Sequence, residues 1–139
     1  MAANTSPIFT LTPNCPVVSI AAANTGSDGS GTLVTLFTAG ANGSRVDSIT
    51  FINAQASVAA SSAMLGHVFL TDTAGANPRH IDEIAIAAAT RTASVVGIKA
   101  TINFSPPLVI ASGQIVKVTQ SVYAGVQDLQ HVHARGGDF

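Results

Sequence analysis

Between Gly26 and Asn53 the chain reads GSDGSGTLVTLFTAGANGSRVDSITFIN: a glycine-rich turn, a run of strand formers, a second glycine-rich turn and another strand. Asp28-Gly29 and Gly31, then Gly40, Asn42 and Gly43, are residues that tolerate positive φ and so punctuate the chain. Every residue from Thr32 to Thr38 is β-branched, aromatic or a large aliphatic, which suits a pleated, half-buried surface better than a helix. The stretch predicts a β-hairpin and an all-β domain built around it.

The flanking sequence extends that reading. Val17 to Ala22 is a short apolar run ended by turn residues, a first strand. Met64, Val68 and Leu70 share one face of another strand, and Thr73 to Pro78 is a turn. Ile81, Ile84 and Ile86 change parity within His80 to Ala88, which points to a bulge or to a strand covered on both faces. Ile98, Ala100, Ile102 and Phe104 alternate with Lys99, Thr101 and Asn103, as expected where one sheet face is in the core. Ser105-Pro106-Pro107 is expected to break that strand, leaving a brief edge strand over Leu108 to Ile110. Val116, Val118 and Val122 alternate again, and Leu129 to Ala134 reads as the last strand. Gln55 to Ala63, rich in Ala and Ser, carries no apolar stripe at helical spacing and reads as a connection. Short strands at this spacing without long helices predict a single antiparallel β-sandwich, jelly-roll-like, over residues 17–139.

Ahead of it, residues 1–16 carry Pro7, Pro13 and Pro16 and read as an extended N-terminal arm. Ile8, Phe9 and Leu11 give the arm apolar contacts to offer. No positively charged n-region or apolar h-region opens the chain, so synthesis in a cytoplasm is expected. Thr50 to Thr71 is uncharged, but Asn53, Gln55, Ser57, Ser61, Ser62 and His67 interrupt it too often for a membrane span.

Composition narrows the partners. Of 139 residues 47% are hydrophobic and only 9% charged, well under the roughly 25% usual in globular proteins, which favours permanent association. Six Lys and Arg against seven Asp and Glu leave no basic field to hold a phosphate backbone or an anionic lipid. Neither nucleic acid nor membrane is an expected partner. The lone Cys15 has no intrachain disulfide partner and reads as a small buried or interface residue.

Candidate chemistry is sparse. His80, Asp82 and Glu83 form an acid–base-like cluster, and a regular strand would place His80 and Asp82 on one face. No nucleophile elbow accompanies them, so the cluster reads as a solvated strand end and no enzyme is expected. His131 and His133, two apart on a strand, would project two imidazoles the same way; two ligands alone do not make a metal site, and an exposed or interface role is the simpler reading. Gly26 to Gly31 lacks the lysine and the strand-to-helix context of a phosphate-binding loop. No cofactor is called for.

Asp28-Gly29-Ser30-Gly31-Thr32 and the words from Phe37 to Ile49 resemble a small virion protein of tailed bacteriophages, of the capsid decoration (cement) type. Val68 to Asp72, Ile81 to Ile84, Pro107 to Gln114 and Gly136-Gly137-Asp138-Phe139 follow in the same order, whereas His131-Val132-His133 lies outside the matching words. The resemblance implies a homotrimeric β-sandwich seated on the outer surface of the phage head, with the major capsid protein as partner. Ile8, Phe9 and Leu11, with Arg45 and Asp47, are then the expected contacts. A tail, baseplate or fibre-associated sandwich, or a glycan-binding adhesin, is the alternative.

Overall fold

The computed structural model describes residues 10–54, 60–92 and 94–139. They form β1 (Thr12–Asn14), β2 (Val17–Ile20), β3 (Val34–Thr38), β4 (Ser44–Asn53), β5 (Met64–Thr71), β6 (Arg79–Ile86), β7 (Lys99–Ile110), β8 (Ile115–Gln120) and β9 (Gln130–Asp138), with one 3₁₀ turn at Val126–Asp128. The strands make two antiparallel sheets. Sheet A has the order β1-β9-β4-β7, with β2 following β1 along the same edge of β9; sheet B has the order β3-β8-β5-β6.

Alternation decides which side chains meet between the sheets. Val46, Ile49 and Phe51 of β4 and Val132 and Ala134 of β9 pack against Leu36, Val68, Val116 and Val118 of sheet B in one core. Ala100 and Ile102 join from β7, with Ile98 and Phe104 packed beside them, as their spacing predicts. The all-β reading and the two-layered sandwich both hold.

The predicted hairpin does not. Gly43 adopts a φ of 92° and donates its N–H to the Gly40 carbonyl, so the second turn is tight as expected. Yet β3 pairs with β8 and β4 with β7 and β9, in different sheets. Turn chemistry fixes a reversal of direction and leaves open which ladder each strand joins. Here the chain arches from one sheet to the other, so that Leu36 and Phe51 bury their apolar faces through the core rather than side by side.

Two further expectations are corrected. Ser105-Pro106-Pro107 does not end a strand: β7 runs through to Ile110. Val46 pairs with Leu108 and Ser48 with Asn103, so the residues between, both prolines included, bulge opposite Asp47 on an edge strand where donors are dispensable. The last strand also extends past Ala134 to Asp138, because Gly136 leaves room for the Arg45 carbonyl, which any Cβ there would overlap. At the other terminus, Thr12–Asn14 lies on this extension as β1, with Pro13 at the sheet edge opposite Gly137; Ile8 and Phe9 lie outside the described residues.

Candidate functional site

The register of β5 against β6 builds the most chemically concentrated spot in the fold. His67 pairs with Glu83, Val68 with Asp82, and then Phe69 with His80, so Ile81 is the extra residue of a bulge. The parity change in the isoleucines has this cause. The bulge also overturns the expected grouping: Asp82 falls opposite the core residue Val68, while His80 and Glu83 fall beside His67 and Phe69 on the outer side of sheet B.

That outer side is covered. Asn24 donates its N–H to the Gln120 carbonyl at the end of β8, and Gly29 lies against Pro78, just before β6. Gln120 is level with Gly66 of β5 and Arg79 with Leu70, so the loop between β2 and β3 crosses β5 diagonally. The Asn24 side chain holds it in shape, donating to the Ser30 and Thr32 carbonyls at 2.7 and 3.1 Å and accepting the Gly26 N–H at 3.0 Å. The glycine-rich stretch is thus a turn, and beneath the loop Phe69 and Thr119 are fully buried.

His67 is only 3% exposed, and neither of its ring nitrogens has a hydrogen-bond partner. Nδ1 sits 3.3 Å from Oε2 of Glu83 without hydrogen-bond alignment. Nε2 of His80 is 3.9 Å from the same oxygen, and the two imidazoles meet at 5.4 Å between centroids with planes at 63°. The Phe69 ring, 5.2 Å from that of His80, backs the group. Burial pushes the His67 pKa below its usual value and His80 adds to the depression, while the Glu83 carboxylate opposes both. The net effect favours the neutral form of the His67 imidazole. One ligand atom from each of His67, His80 and Glu83 lies within 4.8 Å of the other two.

His67 was not a candidate on sequence grounds. Its signal was the 73–78 turn: folding β5 and β6 about it brings His67 level with Glu83, but only after the one-residue bulge is allowed.

His131 and His133 do project the same way, from the outer face of sheet A, since Val132 and Ala134 between and beyond them are in the core. No third His, Cys, Asp or Glu joins them to make a metal-ligating group among the described residues. Burial lowers the His133 pKa, and the cations Arg135 and Lys99 lower it further.

Of the expected contact residues, Leu11, Arg45 and Asp47 gather on that same face. Leu11 is 81% exposed and donates its N–H to the Asp138 carbonyl. Arg45 pairs across β9 with Gly137, level with Pro13, and across β7 with the exposed Val109; its Nε donates to Asp47 at 2.7 Å. Further along the face, Val17, His133, Thr50 and Thr101 form one row and Ser19, His131, Ile52 and Lys99 the next. Cys15 is exposed, so it is not a buried filler.

These features define a two-sheet antiparallel β-sandwich whose sheet A face mixes exposed valines and Leu11 with Arg45, Lys99 and Arg135, and whose sheet B carries a histidine–carboxylate cluster. No family model, curated protein or solved structure matches the chain. Among the described residues, no helix is long and apolar enough to cross a membrane.

Proposed function

We propose that this protein is a virion structural protein of the capsid decoration type: a homotrimer that docks on the major capsid protein at the outside of a phage head and stiffens the shell. The carrying observation is the outer face of sheet A, where Leu11, Val17 and Val109 are 81%, 64% and 67% exposed and the acidic Asp47 is already paired with Arg45. Apolar side chains held exposed on a sheet face gain by burial against a complementary surface.

Strand order supports the finer reading of the fold. Sheets ordered 2-9-4-7 and 3-8-5-6, with the chain passing between sheets at most connections, suit a jelly roll, an architecture common in capsid proteins. Size also bears on the arm. Four strand positions about 4.8 Å apart, along the nine residues of β9 at about 3.3 Å each, give a face on the order of 600 Å². A standard interface buries about 800 Å² per partner. On this reading residues ahead of Leu11 in the expected arm add further contact, and three footholds per trimer multiply a modest single-site affinity.

The test is the mass of the purified protein by multi-angle light scattering, followed by co-sedimentation with capsids that lack it. A trimer that pellets with heads supports the assignment. A monomer that stays in the supernatant overturns it and directs attention to tail components and glycans.

A further inference from the structure

We propose that His67, His80 and Glu83 form a binding site for a divalent first-row transition-metal ion of the zinc type, on the side of the sandwich opposite the docking face.

Three observations carry it. The first is the donor set: two imidazoles and one carboxylate match the borderline cations Zn²⁺, Co²⁺ and Ni²⁺, whereas Ca²⁺ and Mg²⁺ take oxygen cages. Spacing is the second. Bonds of 2.0–2.1 Å in a tetrahedron put neighbouring ligand atoms about 3.3 Å apart; the separations to Glu83 Oε2 are 3.3 and 3.9 Å, and all three atoms lie within 4.8 Å of one another. Small side-chain rotations at the half-exposed Glu83 and the partly exposed His80 close the remainder.

The third observation is His67 itself, nine-tenths and more buried with both nitrogens unpartnered. Leaving a buried polar atom unpaired costs about 1–3 kcal/mol, and a simple ion pair to Glu83 would leave Nε2 as it is. Thr119, level with His67 on β8, is fully buried and its hydroxyl also lacks a partner. Once Nδ1 is committed to a metal, the other ring N–H needs an acceptor, the support that metal-bound histidines usually receive, and this hydroxyl is the unpartnered group on the neighbouring strand. Three protein ligands leave a fourth position for water. Bound there, the ion clips the edge strand β6 to β5 across the bulge.

The experiment uses the full chain, stripped with a chelator and titrated with Co²⁺ and Zn²⁺. One Co²⁺ per chain with intense visible d–d bands is the expected signature of a tetrahedral site. His80→Ala and Glu83→Gln, both at accessible positions, each weaken Zn²⁺ binding at least about 100-fold while leaving the metal-free melting temperature near that of the parent. The double variant His131→Ala, His133→Ala binds as the parent does. Absence of stoichiometric binding overturns the proposal, and so does binding that survives His80→Ala but is lost in the double variant. Capsid binding is read out separately, so failure of either idea leaves the other standing.

Discussion

The buried side chain of Asp128 accepts the backbone N–H of Ser62 at 2.7 Å, joining the segment before β5 to the 3₁₀ turn before β9. It also accepts the Ser62 hydroxyl at 3.1 Å and the Ala124 N–H at 2.7 Å, while its carbonyl takes the Gln120 amide at 3.0 Å. One residue thereby satisfies donors from two loops that close this end of the sandwich. Asp128→Ala leaves two part-buried N–H groups without their acceptor and is expected to cost about 2–3 kcal/mol. Asp128→Asn, which turns one acceptor into a donor, is expected to cost about 2 kcal/mol. Urea denaturation checks both: the midpoint falls with little change in slope.

Gly66 sits against the Phe51 ring across the core, where an added Cβ would lie 2.7–2.9 Å from three ring atoms. Phe51 is fully buried and has no room to retreat. Gly66→Ala is therefore expected to destabilise by about 1–3 kcal/mol. Combining it with Phe51→Leu gives a double-mutant cycle in which the joint loss is less than the sum. Strict additivity would mean that the two residues do not press on each other.

His133 titrates low because burial and the cations Arg135 and Lys99 oppose its protonation. The folded state thus holds its proton less tightly than the unfolded chain, whose value is near 6.5. Stability from this group is complete above that value and declines as pH falls below it. An NMR titration should give His133 a midpoint under 6.5, and His133→Gln should flatten the fall in melting temperature over the same range. A midpoint at or above 6.5 contradicts the reading.

Val17 and Val109 are exposed in the single chain, so replacing either with Asp should change its stability by no more than about 0.5 kcal/mol. On the proposed docking face the same charges would have to be desolvated against the partner. Co-sedimentation with capsids should drop at least about tenfold, the equivalent of 1.4 kcal/mol. Unchanged binding by both variants would move the contact surface elsewhere.

Legibility in the sequence followed the range of each cause. Val116 and Val118, or Ala100 and Ile102, announce their buried face because alternation is a local property of a pleated strand. The turns at 40–43 and 73–78 were likewise written in glycine, asparagine and aspartate. The parity change at Ile81 was visible as well, yet what it did to His80 and Asp82 was not, since that depends on the strand alongside. His67 passed as a polar interruption in an uncharged run. Its burial depends on strand pairing and on chain brought in from elsewhere, such as the loop whose Asn24 reaches Gln120.

By itself the sequence determined that this protein is all-β, where most of its strands lie and which residues turn the chain, because those follow from side-chain shape, backbone freedom and period-two alternation. Tertiary structure alone decided that β3 and β4 part company into different sheets, that Pro106 and Pro107 are carried in a bulge on an edge strand, and that His67, His80 and Glu83 converge. Pairing partners are chosen by the burial of whole faces at once, a sum over distant segments that no local window contains.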